Sequence, residues 1–78
     1  MSEDSGTITT VTDTVKRVGG ITDLTSDQDF YDAGLTSLAS LTLLLELEDA
    51  FNISISDERF VNCRSVNDIV LLVEELKS

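Results

Sequence analysis

Apolar residues recur along this chain at the three- and four-residue spacing of helices. The first helical face consists of Ile8, Val11, Val15 and Val18. Two glycines follow at positions 19 and 20, where their backbone freedom favours termination of a helix. The pattern therefore predicts a first helix over Thr7–Val18. The polar residues before it, 1–6, are expected to be disordered because no apolar side chain anchors them.

Three further helices are predicted from capping signals. A second runs from Ser37 to Phe51, with Thr36 or Ser37 as its N-cap. Ser56 can cap a brief third helix over residues 57–61, and the run 65–68 resembles a capping box that opens a fourth. The predicted fold is all-α: a four-helix bundle with a long first loop over residues 21–36 and a short third helix. At 78 residues, a single domain over 1–78 is expected.

The same periodicity predicts which side chains form the core. Phe30 is expected to pin the long loop, because loops of about 16 residues are usually functional or anchored by their own apolar residues. The expected core of the helices and their connections is Ile8, Val11, Val15, Leu43, Leu47, Phe51, Ile55, Val66, Ile69, Val70 and Val73.

The second helix has more leucines than one face can hold. One stripe, which we expect to face inward, consists of Leu43, Leu44, Leu47 and Phe51. A second stripe consists of Leu38, Leu41 and Leu45. Either this helix is the most buried one of the bundle, or the second stripe binds a partner or an apolar ligand.

Composition narrows the classes of function. The net charge of −10 and the pI near 4.1 argue against nucleic acid and anionic membranes, so partners are expected to be basic. With no His and one Cys, the chain cannot form an internal disulfide or a Ser-His-Asp triad, and we expect neither an enzyme nor a metal site. Asp27, Asp29 and Asp32 lack the glycine and final acid of a calcium loop. No apolar run is long enough for a membrane span, so we expect a cytoplasmic protein. We also expect the protein to be a monomer.

Ser37 stands where a glycine-containing turn meets the start of the second helix. A phosphate ester on its hydroxyl would meet free backbone N–H groups and the positive end of the helix dipole. A serine at the start of a helix is, by itself, far more often a cap than an attachment site.

The surrounding residues favour attachment. The run from Phe30 to Leu38, Phe-Tyr-Asp-Ala-Gly-Leu-Thr-Ser-Leu, continues into the apolar stretch from Leu43 to Phe51. This region resembles the phosphopantetheine attachment region of the acyl carrier protein family. The resemblance implies a four-helix carrier in which 4′-phosphopantetheine, taken from coenzyme A, is attached covalently to Ser37. An acyl or aminoacyl group would then be carried as a thioester and presented to partner enzymes.

The resemblance also implies the partners. A phosphopantetheinyl transferase would modify the serine, an acyl- or aminoacyl-loading ligase would charge the arm, and downstream transferases or synthases would receive the cargo. Leucines would supply contact area and carboxylates would steer basic partners. The expected partner-binding residues are Thr36, Leu38, Leu41, Leu45, Glu48, Asp49, Asp57 and Glu58.

Three positions depart from the carriers of fatty acid synthesis. Thr36 replaces the Asp that usually precedes the serine, and Ala39 and Thr42 stand at positions that are often acidic. The run from residue 33 to 40 is instead similar to a specialised bacterial subgroup that includes aminoacyl carrier proteins. Other specialised acyl or peptide-synthesis carriers remain open. The alternative outside this class is an unmodified acidic helical module that docks through its leucine stripe.

Overall fold

The computed structural model describes the backbone of residues 2–77 and the side chains from residue 6 onward. All regular structure in this part of the chain is helical. Four helices occur in the order α1 (Ser2–Gly19), α2 (Ser37–Phe51), α3 (Asp57–Phe60) and α4 (Val66–Lys77). The all-α prediction with a long first loop and a short third helix is therefore confirmed.

Helix α1 begins at Ser2, five residues before the predicted start at Thr7. Once the face at Val11 and Val15 is buried, each residue added to the helix gains one hydrogen bond at little cost, so the helix extends backward. Within the stretch expected to be disordered, residues 2–6 are thus helical, while Met1 lies outside the described residues. Gly20, in the left-handed conformation at φ +64, ends the helix as predicted.

The apolar core joins all four helices and the long loop. Helix α1 packs along both α2 and α4. Two residues of the expected core are less buried than predicted. Ile8 is exposed, and Phe51 is only half-buried against the core. The fully or nearly fully buried apolar residues are Val11, Val15, Ile21, Phe30, Leu35, Leu43, Leu44, Leu47, Ile55, Phe60, Cys63, Val66, Ile69, Val70, Leu72 and Val73.

The loop of residues 20–36 is held by three buried side chains, Ile21, Phe30 and Leu35. Phe30 has no solvent exposure, which confirms that it pins the loop. Burying an aromatic ring of this size stabilises the fold by roughly 2–3 kcal/mol. The residues that lead into α2 are thus anchored although they form no regular element.

Candidate functional site

At the start of α2, the N-cap and the exposed serine are two different residues. The hydroxyl of Thr36 accepts a hydrogen bond from the backbone N–H of Ala39 at 3.1 Å, so Thr36 is the N-cap. Ser37 is the first helical residue and is exposed. Among the described residues, no hydrogen bond involves its hydroxyl, although its carbonyl accepts one from the Ser40 hydroxyl at 2.6 Å. The Ser37 hydroxyl is therefore free to be modified.

A tight turn delivers the chain to this point. Gly34 has φ +127, a conformation that L side chains rarely adopt, and the next residue, Leu35, turns back into the core. The backbone N–H of Leu35 donates to the carbonyl of Phe30 at 3.0 Å and closes the turn. Because Leu35 is buried, Thr36 and Ser37 emerge at the surface directly beside an anchored residue.

The electrostatic setting of Ser37 suits an anion. The first N–H groups of a helix have no partner inside the helix and form its positive end. The first turn of α2 contains no acidic residue, and the first charged side chain along the helix is Glu46. A phosphodiester on Ser37 would thus meet orphan N–H groups without a neighbouring carboxylate in the same turn.

The second leucine stripe is uncovered. Leu38, Leu41 and Leu45, which we call the leucine face, are 79%, 60% and 65% exposed. Helix α2 is not the most buried helix, because α4 buries five of its residues and α2 three. The inward stripe is confirmed at Leu43, Leu44 and Leu47. Three large apolar side chains on one exposed face, beginning next to Ser37, are typical of a surface that a partner covers.

Of the predicted acidic partner residues, Asp49, Asp57 and Glu58 are exposed. Asp57 and Glu58 lie in the first turn of α3, where the helix dipole favours them. Glu48 differs, because it is half-buried and its carboxylate accepts a hydrogen bond from the backbone N–H of Ile55 at 2.8 Å. Glu48 therefore stabilises the connection between α2 and α3.

The family model described as the phosphopantetheine attachment site matches residues 9–73, which include the whole of α2 and its preceding loop. The chain belongs to this family. In acyl carrier proteins this domain is the site of covalent 4′-phosphopantetheine attachment, and its members are carriers rather than enzymes.

Similar curated proteins are described as acyl carrier proteins or an aminoacyl carrier protein. An acyl carrier protein of Phytoplasma australiense is 50% identical over 44 residues, which cover 56% of this chain and 58% of that protein. An acyl carrier protein homolog of Mycoplasmopsis pulmonis is 38% identical over 52 residues, or 67% of this chain and 71% of the relative. An aminoacyl carrier protein of Agrobacterium fabrum is 34% identical over 55 residues, or 64% and 66%. The match to the first of these thus spans less than two thirds of its length.

The structure adds a contact to this family site that the sequence did not reveal. The Arg64 guanidinium donates from Nε to Oδ2 of Asp29 at 2.7 Å and lies over the Tyr31 ring, 5.0 Å from its centroid. This hydrogen bond, with those from the N–H groups of Asp32 and Tyr31, holds the pKa of Asp29 below its usual value. Arg64 and Asp29 are 35 residues apart, so no local pattern could indicate the pair.

Two further large apolar side chains are exposed outside the leucine face. Val61, just after α3, is 66% exposed, and Leu71 on α4 is 68% exposed. The periodicity of α4 places Leu71 outside the buried stripe. Periodicity alone does not tell whether an exposed leucine is isolated or belongs to a larger apolar surface. Leu71 borders a shallow groove between α3 and α4, of about 220 Å³, together with Arg59 and Cys63.

Within residues 2–77, no helix is both long and apolar enough to cross a bilayer. Among the side chains that the structure describes, residues 6–77, no three His, Cys, Asp or Glu residues are arranged to hold a metal ion. Asp29, one of the three acids considered above for a calcium loop, instead accepts a hydrogen bond from Arg64.

Proposed function

We propose that this chain carries acyl or aminoacyl groups on 4′-phosphopantetheine attached to Ser37. The observation that supports the proposal most strongly is the free, exposed Ser37 hydroxyl at the first residue of α2, beside a cap supplied by Thr36. When bound, the arm supplies a terminal thiol that holds the cargo as a thioester. The protein itself supplies the attachment point and the surface that partner enzymes bind.

The attachment step is a phosphoryl-type transfer at the Ser37 oxygen. That oxygen forms a bond to the phosphorus of coenzyme A that bears the pantetheine, and the bond to the other phosphate breaks. Adenosine bisphosphate leaves with the electron pair, and the hydroxyl proton passes to a base of the transferase. Ser37 requires no internal base, and the positive end of α2 stabilises the phosphodiester formed.

The proposed partner surface consists of the leucine face and further exposed residues of the start of α2, its last turns and α3. The leucines would supply most of the contact free energy, and the acidic residues would steer a basic partner. Glu48 is the exception, because its carboxylate is turned to Ile55 N–H of the same chain. The other predicted residues outside the leucine face are Thr36, Asp49, Asp57 and Glu58.

An aminoacyl cargo is one candidate, and two observations are compatible with it. The chain is similar to an aminoacyl carrier protein, and the residues of α2 before Glu46 carry no charge. Ala39 and Thr42 thus leave the first turns of α2 without a charged side chain. A ligase that binds here would need an apolar contact near the serine, with its basic residues opposite α3. Relatives described simply as acyl carrier proteins keep an acyl cargo as the other candidate.

Intact mass spectrometry after incubation with coenzyme A and a broad-specificity phosphopantetheinyl transferase tests the attachment site. The wild-type chain should gain the mass of one arm, and Ser37→Ala should gain none. Ser40→Ala is the matched control, because Ser40 lies one turn later on α2, and it should gain one arm. An unmodified interaction module would gain no mass as the wild type or as either variant.

A further inference from the structure

The loop before Ser37 is tied to the turn between α3 and α4 at several points. The backbone N–H of Phe30 donates to the carbonyl of Arg64 at 2.8 Å, and that of Asn67 donates to the carbonyl of Ser26 at 2.9 Å. The Arg64 side chain adds its hydrogen bond to Asp29 and its contact with the Tyr31 ring. Backbone and side chain of Arg64 thus hold the same stretch of loop.

Arg64 is itself fixed, and so is the carboxylate that it binds. The backbone N–H of Arg64 donates to Oδ2 of Asp68 at 3.0 Å. The other oxygen of Asp29, Oδ1, accepts from the N–H groups of Tyr31 at 2.9 Å and Asp32 at 3.3 Å. The ion pair therefore joins the connection before α4 to the turn that precedes Ser37.

A short run of contacts leads from this pair to the attachment site. Asp29 holds the beginning of the turn, Phe30 is buried, and its carbonyl accepts the N–H of Leu35. Leu35 is buried next to the N-cap, and Ser37 follows two residues later. The position of Ser37 thus depends on a turn that the Asp29 carboxylate holds from within and that Arg64 ties to the connection before α4.

We propose that Arg64 is a positioning residue for the transfer of phosphopantetheine to Ser37, acting through its ion pair with Asp29. The inference rests on the proposed attachment at Ser37. With the turn held in advance, the transferase binds an ordered loop. Without the clamp, the loop samples more conformations, and ordering it on binding costs free energy that weakens the complex.

Loss of the ion pair should change the KM for the carrier rather than kcat. Once the carrier is bound, the transferase surface orders the loop, so kcat should change little. The KM for the carrier should rise by about three- to five-fold in Arg64→Met, the effect expected from losing a partly exposed ion pair. Methionine keeps an apolar stem over Tyr31 and removes the donors. Arg64→Lys should recover part of the effect, since lysine can pair with Asp29.

Two further variants separate positioning from other roles. Arg17→Met is the matched control, because it removes a comparable pair with Glu46 at 3.0 Å that joins α1 to α2, and its KM should equal that of the wild type. Asp29→Asn breaks the pair while leaving Arg64 in place, and it should raise the KM as Arg64→Met does. If Arg64 touched the transferase directly, Asp29→Asn would leave the KM unchanged or lower it.

Amide hydrogen exchange of the unmodified carrier supplies a readout that needs no transferase. Exchange at Phe30 and Leu35 should accelerate several-fold in Arg64→Met and Asp29→Asn, while amides within α1 keep the wild-type rate. An unchanged KM in Arg64→Met, a change confined to kcat, or unchanged exchange at these two amides would overturn the inference. A wild-type chain that gains no arm, or a Ser37→Ala variant that gains one, would instead overturn the attachment proposal.

Discussion

The hydroxyl of Thr36 accepts a hydrogen bond from the backbone N–H of Ala39. Thr36 directly precedes Ser37, the proposed attachment serine. The sequence left either Thr36 or Ser37 as the cap of α2. Because Thr36 performs the capping, the Ser37 hydroxyl has no structural task. Stability and modification are thereby assigned to adjacent residues and can be tested separately.

Thr36→Ala should lower the free energy of unfolding by about 1 kcal/mol, because the N–H of Ala39 loses its acceptor. Ser37→Ala should change it by less than about 0.5 kcal/mol, as expected for an exposed side chain without partners. Urea unfolding followed by circular dichroism measures both. A larger loss in Ser37→Ala than in Thr36→Ala would show that the cap has been assigned to the wrong residue.

Leu41→Ala should leave the free energy of unfolding within about 0.5 kcal/mol of the wild type, since the side chain is 60% exposed. In contrast, modification by the transferase or charging by the cognate ligase should show a KM raised about ten-fold, the size of a central interface contact. Leu71→Ala is the control, with 68% exposure on α4, and should keep the wild-type KM. Equal effects of the two variants would argue against the leucine face.

The helices could be predicted from the sequence because each has a local signal. The glycines after α1, the cap residues of α2 to α4 and the inward leucines are all readable from spacing. Even there, Ile8 had the right spacing and is exposed, because periodicity gives the direction of a face but not how far the neighbouring helix extends. Asn52, left-handed at φ 55, ends α2 in a place where a glycine would have been the clearer signal.

Contacts between distant residues could not be predicted in this way. The pairing of Arg64 with Asp29 and the capture of Ile55 N–H by Glu48 depend on how the loops fold over the core. For Glu48, the sequence supported only an acidic surface residue. The proposed attachment serine was different, because a glycine turn followed by a helix start is a local feature with a strong family resemblance around it.

Cys63 should be an unreactive thiol in the native apo protein. It is 5% exposed, and burial together with nearby Asp68 raises its pKa, so little thiolate is present near neutral pH. Titration with a thiol reagent at pH 8 should show no rapid phase in the apo form and one rapid thiol after an arm is attached. The slow phase should become rapid in urea. A rapid phase in the native apo form would contradict the buried placement of Cys63.

The carboxyl of Asp29 should titrate below its ordinary pKa, because Arg64 donates a hydrogen bond to its charged form. A depressed pKa means that the pair stabilises the fold fully above pH 3.8, the usual value, and that this contribution is lost as the pH falls through the lower folded value. NMR titration of the Asp29 carboxyl carbon measures this midpoint. In Arg64→Met the midpoint should rise toward the usual value; an unchanged midpoint would show that Arg64 is not the cause.

The most direct measurement is site-resolved mass spectrometry of the protein purified from the cells that make it, under conditions that preserve thioesters. We expect one phosphopantetheine on Ser37, in a peptide that spans the start of α2, with an amino acid or acyl group on the thiol in part of the sample. The identity of that group decides between the aminoacyl and acyl cargoes. A chain that is wholly unmodified in its own cells, or an arm attached to another residue, would contradict the assignment of Ser37 as the carrier site.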